Sequence, residues 1–347
     1  MPCHRNADRL PWTMVIVLAA LALTAPVAAA PEAAESPEPW KVSAAVGPAF
    51  ALGKAGDRWA KLIAERSGGK IAVRFHPGAS LARGDPAREF LALRDGAADL
   101  AVGSTLFWST QVVDLNVFAL PWLAPDDRDL AALADGAVAE RLFAAVERSG
   151  AVPLALAVLG HRALAMSGAG RRSPADFAGM KVRVPSSSLV AGLFVELGAS
   201  PRMMTAADAH AAFREGALEA QEGTLATLAA ARLDAFGLKQ VMLWDAVGEC
   251  AVFAANRAAW NAWTDEQKTI VREAARDIAR ELPALARAED DAAQEALVKR
   301  GTTVTRLTAS GRAAFVTATK RVYDRWAGAM DADLVREAEA AVKAARK

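Results

Sequence analysis

The chain has 347 residues, and its 41 Lys and Arg residues nearly balance its 40 Asp and Glu residues, which gives a formal charge of +1. This balance excludes a strongly basic nucleic-acid-binding protein. Hydrophobic residues make up 53% of the chain and charged residues 23%, which is typical of a globular protein of roughly two domains. Two cysteines are too few for a disulfide framework or a zinc cluster.

The first thirty residues have the pattern of a secretory signal peptide. Arg5 and Arg9 precede an apolar run at residues 12–25, and small residues follow that run. The run is shorter than the roughly 20 residues that a membrane-spanning helix needs. We therefore expect residues 1–29 to be cleaved on export to the periplasm and residues 30–39 to form an extended linker. A retained N-terminal anchor is the alternative.

Residues 40–103 predict an α/β sheet, because strand and helix patterns alternate along them. The strands are predicted at 40–46, 71–75 and 100–102, and the helices at 52–66 and 85–94. Gly68 and Gly69 follow the first helix, where a left-handed helix end favours glycine. Connections of this length that contain a helix imply parallel strands with right-handed crossovers.

A helix at about 127–148, a strongly apolar strand at 152–159 and a polar, glycine-rich stretch at 168–173 follow. A second run of similar order and size then begins at Asp176, with strands predicted at 181–184 and 218–221 and helices at 189–197 and 206–215. The last third is predicted to be helical. Thr264 and Gln267 form a capping box, Pro283 is expected to kink the helix that follows, and a helix pair is expected over about 309–345.

No catalytic or metal-binding motif is present in the sequence. The four histidines have no ligand spacing, Gly68-Gly69-Lys70 lacks the first glycine of a phosphate-binding loop, and no nucleophile-elbow motif occurs. We therefore predict no metal, no cofactor and no enzymatic activity. A periplasmic enzyme or sensor stays open as an alternative, because the absence of a motif is weak evidence.

Arg183 is the residue that points to a ligand. It lies between Val182 and Val184 in a predicted strand of a parallel sheet, so its side chain faces the opposite side from theirs and is expected to be covered. A buried arginine needs an anionic partner. Pro185 ends the strand, and open α/β sheets bind ligands at that end. A carboxylate ligand fits the planar guanidinium, while a salt bridge to an internal carboxylate or a solvent-exposed edge position is the alternative.

Several segments, in their order, resemble the solute-binding subunit of tripartite ATP-independent periplasmic (TRAP) transporters. The segments of the second half are GMKVRVPS at 179–186, LGASP at 197–201 and FREGALEAQE at 213–222. Those of the first half are SGGKI at 67–71, DGAAD at 95–99 and LPWL at 120–123. The resemblance covers about residues 40–300.

The resemblance implies a two-lobe fold of the periplasmic binding protein type II kind, with a hinge and a long C-terminal helical region. Lobe 1 is expected to comprise residues 40–160 and about 249–288, and lobe 2 residues 161–248 and about 289–347. The lobes are expected to close over a small organic carboxylate and to deliver it to a TRAP membrane permease. The protein is expected to be a monomer with no nucleic-acid partner. An ABC-type periplasmic binding protein is the alternative, because it shares this architecture.

The resemblance also implies which residues contact the ligand. The position of Arg183 pairs with the ligand carboxylate, and Arg162 is expected to assist it. The remaining implied positions are Ser186, Ser104, Trp108, Phe50, Gly223 and Trp244. Gly223 stands where the family often has an asparagine, which removes one amide from the expected site. Trp108 and Trp244 have a core position as their alternative, Ser104 a turn position, and Phe50 a packing role beside the first helix. Such a cleft favours a keto or aromatic monocarboxylate over a polyhydroxylated acid.

Overall fold

The computed structural model describes residues 38–168 and 170–347. The predicted signal peptide at 1–29 and all but the end of the predicted linker at 30–39 lie outside the described residues. Within the described part of the chain, no helix combines the length and the apolar character that crossing a membrane requires.

The described chain contains ten strands and thirteen α-helices. The strands are β1 (Trp40–Ala44), β2 (Val73–His76), β3 (Leu100–Ser104), β4 (Ala151–Met166), β5 (Lys181–Val184), β6 (Ser200–Met203), β7 (Ala220–Thr224), β8 (Gln240–Leu243), β9 (Gly248–Asn256) and β10 (Thr303–Arg306). The helices are α1 (Ala51–Arg66), α2 (Glu89–Arg94), α3 (Thr105–Trp108), α4 (Asp127–Leu133), α5 (Gly136–Arg148), α6 (Ser188–Glu196), α7 (Ala206–Arg214), α8 (Leu225–Ala230), α9 (Arg257–Ala262), α10 (Asp265–Lys299), α11 (Ala309–Ala318), α12 (Lys320–Ala327) and α13 (Ala332–Ala345).

The first sheet has the strand order β2-β1-β3-β9-β4. Strand β1 pairs in parallel with both β2 and β3, as the alternating strand and helix pattern predicts. Strand β9 is antiparallel to both β3 and β4. Helix α1 covers one face of this sheet, where Ala55, Trp59 and Ile63 are fully buried. Gly68 and Gly69 have positive φ angles of 60° and 79° after the end of α1, which confirms the predicted helix end.

The second sheet is built around the other half of β4. Strands β6, β5 and β7 are parallel neighbours, β7 is antiparallel to β4, and β8 joins β4 to β10. Residues 151–161 of β4 pair with β9 in the first sheet, while residues 162–166 pair with β7. The chain therefore passes from one sheet to the other near Gly160, whose φ of 112° is open to glycine but unfavourable for other residues.

Helix α10 packs along β4 and against α1 and α8. The predicted capping box of Thr264 and Gln267 is confirmed at its start. Pro283 lies inside the helix without ending it, as expected. The C-terminal segment contains three helices, α11, α12 and α13, instead of the predicted pair. Likewise, the predicted helix at 127–148 is two helices, because Asp135 begins a new one with its own side-chain cap.

Candidate functional site

A cavity of about 310 Å³ lies where the chain crosses between the two sheets. Residues of the first sheet and of α1 line one part of it, and residues of β5, β7 and the loops after them line another. Helix α10 adds a wall with Glu289 and Asp290. Of the residues that the sequence predicts for the site, five line this cavity: Arg183, Arg162, Ser186, Ser104 and Phe50.

Arg183 lies in β5, two residues before Pro185, and it is 7% exposed. The guanidinium donates Nε–H and Nη2–H to the Met204 carbonyl at 3.0 and 2.8 Å, and Nη1–H to the Glu222 carbonyl at 3.2 Å. Among the described residues no carboxylate lies within 4.0 Å of it, so the alternative of an internal salt bridge is not realised. An arginine carries five N–H donors, and two of them therefore remain for a molecule in the cavity.

Burial and the nearby positive charge of Arg162 lower the pKa of Arg183, while the negative charge of Glu222 raises it. The net result is a pKa of about 10. The side chain is still positive at neutral pH. A buried positive charge without a carboxylate partner costs free energy, and an anion in the cavity would offset that cost. The geometry and the charge of Arg183 thus suit a carboxylate ligand.

Arg162, in β4, is only 4% exposed and is held by two buried carboxylates. Its Nε–H and Nη2–H donate to the two oxygens of Glu222 at 2.5 and 2.9 Å, and Nη1–H donates to Glu249 Oε2 at 2.5 Å. Burial alone would lower the pKa of Arg162, but the charges and hydrogen bonds of Glu222 and Glu249 raise it overall. Three of its N–H donors are thus committed to protein carboxylates.

Ser104 connects this cluster to the first sheet. It ends β3 and caps α3, because its Oγ accepts a hydrogen bond from the Leu106 N–H at 3.2 Å. The same hydroxyl donates to Glu249 Oε1. Ser104 therefore lies at a turn after its strand, as the alternative interpretation predicts, and it also lines the cavity. Phe50 also has both of its predicted positions, because it directly precedes α1 in extended backbone and it lines the cavity.

Three predicted site residues do not line the cavity. Trp108 is fully buried in the core, edge-to-face with Phe90 at 5.2 Å between ring centroids. Trp244 is fully buried among aromatic rings, Phe194 at 5.4 Å being one of them. Gly223 pairs with Ala163 in the second sheet, and a Cβ there would lie 3.1 Å from a threonine hydroxyl of α8. Both tryptophans therefore occupy the core positions that were their alternative interpretation, because large apolar rings gain most from full burial.

Several polar residues of the cavity were missing from the predicted set. Glu249, Glu289 and Asp290 all line it. Glu289 accepts the Ala51 N–H with both carboxylate oxygens at 3.1 Å and so caps α1, whose own preceding residue supplies no side-chain cap. Burial raises the pKa of Glu289, while the Ala51 N–H and nearby Lys54 lower it. A sequence signal for Glu249 was absent because β9 was not predicted.

Asp290 has the most shifted pKa of the α10 wall. Burial, together with the negative charges of Glu289, Asp127 and Asp291, raises the pKa of Asp290 to about 7. His161, beside Arg162, contacts the Ala124 carbonyl through Nε2 at 2.7 Å. Burial lowers the pKa of His161, but the hydrogen bonds to Asp127 and Ala124 raise it overall. Among residues 38–168 and 170–347, no group of His, Cys, Asp or Glu side chains is arranged to hold a metal ion.

Residues 42–329 match a known family, described as bacterial extracellular solute-binding protein, family 7 (DctP). The chain belongs to this family. A TRAP periplasmic solute-binding protein from Ralstonia eutropha H16, solved with bound (S)-2-acetolactate, is 42% identical and superposes with a TM-score of 0.84 over 88% of this chain and 98% of that one. The resemblance to TRAP solute-binding subunits and the two-lobe α/β fold are thereby confirmed.

Two curated relatives match with different extents. The C4-dicarboxylate-binding periplasmic protein DctP of Rhodobacter capsulatus is 26% identical over 307 residues, which cover 88% of this chain and 90% of that protein. An uncharacterized protein, y4mM, of Sinorhizobium fredii is 28% identical over 176 residues, and the match spans about half of this chain and about a third of that longer protein.

Proposed function

We propose that this solute-binding protein captures a small organic monocarboxylate between its two lobes and delivers it to the membrane permease of a TRAP transporter. The observation that carries the proposal is Arg183, a buried guanidinium with no carboxylate partner among the described residues and two N–H donors left beside the cavity. Arg183 takes the ligand carboxylate, and Ser186, which follows Pro185 after the strand and lines the same cavity, offers a hydroxyl close to Arg183 in the sequence.

The ligand class is a short hydroxy or keto acid. The apolar side chains Phe50, Leu52 and Leu159 line the cavity together with Arg183, so a compact ligand with an apolar substituent fits better than a long polyhydroxylated chain. The Ralstonia relative, which binds (S)-2-acetolactate, supports the same class, because 2-acetolactate is a branched hydroxy-keto monocarboxylate.

The remaining expectations complete the proposal. Residues 1–29 are a cleaved signal peptide, and the mature protein works in the periplasm as a monomer without enzymatic activity. Lobe 1 comprises residues 40–160 and about 249–288, and lobe 2 comprises 161–248 and about 289–347. The crossing of β4 near Gly160 lies at the first of these boundaries, which supports a hinge there.

The proposal is tested with purified protein and a panel of acids. The panel contains 2-acetolactate, simple 2-keto acids, aromatic monocarboxylates, sugar acids and C4 dicarboxylates, and each is followed by calorimetric titration and thermal melting. A ligand at a hundredfold excess over its dissociation constant should stabilise the folded protein by about 2.7 kcal/mol. The same compound should make the protein more compact in small-angle scattering, because the lobes close on it. If no carboxylate gives heat, stabilisation or compaction, the proposed function is refuted.

A further inference from the structure

Two arginines line the cavity, but their surroundings differ sharply. Arg183 meets backbone carbonyls alone, whereas three N–H groups of Arg162 meet the carboxylates of Glu222 and Glu249. Counting one unit per charged side chain, Arg162 with Glu222 and Glu249 carries a net charge of −1, so Arg162 has no positive charge left for a ligand. Arg183, which meets backbone carbonyls and no carboxylate among the described residues, is the arginine left to pair with a ligand carboxylate.

We infer that Glu249, together with Glu222, more than neutralises the charge of Arg162, so that the cleft accepts ligands with one negative charge and rejects those with two. Glu249 is thereby a specificity-determining residue. The inference rests on the proposed function, since it concerns the charge of the ligand that the same cavity binds.

Of the two glutamates that bind Arg162, Glu249 is the one whose charge acts on a ligand in the cavity. Glu222 binds Arg162 with both oxygens and does not itself line the cavity, whereas Glu249 does. One oxygen of Glu249 accepts from Arg162 Nη1 at 2.5 Å, and the other accepts from the Ser104 hydroxyl. Removing the charge of Glu249 would leave Arg162 with a single carboxylate and an Nη1 beside the cavity.

The rest of the lining also disfavours a second ligand carboxylate. Asp85, Glu289 and Asp290 line the same cavity as Glu249, and within residues 38–168 and 170–347 the lining contains no lysine and no arginine beyond Arg162 and Arg183. His161 is engaged by the Ala124 carbonyl and lies 3.6 Å from Asp127. A second ligand carboxylate would therefore meet like charge in a buried place, and like-charge contacts at an interface are strongly unfavourable.

Two ligands of almost equal shape separate charge from size. The monoanion is 2-hydroxy-2-methyl-3-oxobutanoate, which is 2-acetolactate, and the dianion is 2-hydroxy-2-methylbutanedioate. Both have a hydroxyl, a methyl and a carboxylate on one carbon, and they differ in an acetyl against a carboxymethyl group. At pH 8 the wild-type protein should bind the monoanion on the order of 100-fold more tightly, because the dianion adds one unpaired buried charge.

Glu249→Gln is the deciding variant, because glutamine keeps the size, its amide oxygen can accept from Arg162, and its NH2 group can donate to the Ser104 hydroxyl. It should improve binding of the dianion at least about tenfold, as expected when a buried like charge is removed, and should change binding of the monoanion less. Glu215→Gln, which removes an exposed carboxylate outside the cavity, is the matched control and should leave the ratio of the two affinities unchanged. An unchanged ratio in Glu249→Gln overturns the inference.

A measurement on the wild-type protein keeps the inference testable if the variant does not fold. A site for one charge must bind the dicarboxylate in its singly charged form, so the dicarboxylate takes up one proton when it binds. The preference for the monoanion over the dicarboxylate should therefore shrink about tenfold for each pH unit below pH 8. This change should stop at the pH where the free dicarboxylate itself takes up that proton. A ratio that does not change with pH, or affinities at pH 8 that are equal within threefold, overturns the inference alone. Failure of every carboxylate to bind overturns the proposed function instead.

Discussion

Replacement of Arg183 should weaken ligand binding far more than it weakens the fold. In Arg183→Ala, the ligand carboxylate loses its charged partner in a buried place. Truncating one member of such a pair typically costs about 2–5 kcal/mol, which is roughly 30-fold to several thousandfold in affinity. Arg183→Lys should lie between the wild type and Arg183→Ala, because lysine keeps the charge and loses the planar fork.

The stability of the ligand-free protein should change little, because two effects of the substitution oppose each other. Burial lowers the pKa of Arg183 from its ordinary value to about 10, so the folded state bears a cost of about 3 kcal/mol for keeping the charge, which alanine removes. Alanine also leaves the Met204 and Glu222 carbonyls without their donors, at about 1–3 kcal/mol each. The two effects nearly balance.

Calorimetric titration of 2-acetolactate, with chemical unfolding of the ligand-free variants beside it, measures both quantities. Arg202→Ala is the matched control, because Arg202 lies opposite Arg183 in the neighbouring strand β6, is exposed, and does not line the cavity. Its affinity should equal that of the wild type. The reasoning is refuted if Arg183→Ala binds as tightly as the wild type, or if it loses several kcal/mol of stability while the folded fraction binds normally.

Three further predictions concern buried acids and export. Burial raises the pKa of Glu89 to about 8, so the folded state keeps a proton that the unfolded chain loses. The free energy of unfolding of the protein should therefore fall by up to about 1.4 kcal/mol per pH unit between pH 4.5 and 8. Urea unfolding of the Glu89→Gln variant should lack this contribution to the slope. Asp290 ionises near pH 7, so affinity for an anionic ligand should fall between pH 6 and 8 in titrations of the wild type but not of Asp290→Asn. N-terminal sequencing of a periplasmic extract should find Ala30 or Pro31 first, and an intact Met1 in the membrane fraction would contradict a cleaved signal peptide.

Local sequence patterns predicted β5 and α1 well. The predicted strand at 181–184 is β5, and the predicted helix at 52–66 is α1 with one residue added. In both places the apolar spacing, a glycine or proline boundary and the burial all agree, so local and tertiary preferences coincide. The predicted order of strand and helix was therefore sufficient for the fold class.

The long antiparallel strands could not be predicted in the same way. Strand β9 has the sequence GECAVFAAN, and every one of its residues is buried. It contains small residues and no polar alternation, so neither the strand period nor the helix period stands out. Its pairing with β3 and β4 joins parts of the chain far apart in sequence. Only the assembled sheet reveals that these residues are a strand.

The site residues show the same difference between what local sequence predicts and what only the assembled sheet reveals. Arg183 was predicted because one strand and one proline are enough to place it at a ligand-binding edge. Glu249 was missed because its position depends on β9. Trp108 and Trp244 were placed at the site by resemblance alone, and a resemblance in sequence order does not say which side of a strand or helix a ring occupies. Both rings pack into the core instead.

The polar row behind the cavity follows the strand order of the assembled sheet. Strands β3, β9, β4, β7 and β5 are consecutive neighbours, and they contribute in turn Ser104, Glu249, Arg162, Glu222 and Arg183. Buried ion pairs seldom add stability over apolar residues of similar volume, because desolvation offsets their attraction. The row is therefore poorly explained as a device for stability. It crosses the place where β4 leaves one sheet for the other, and it leaves one positive charge unpaired at the end that faces the cavity. The row thus joins both sheets and ends at Arg183, whose guanidinium meets backbone carbonyls and is placed to pair with a ligand carboxylate.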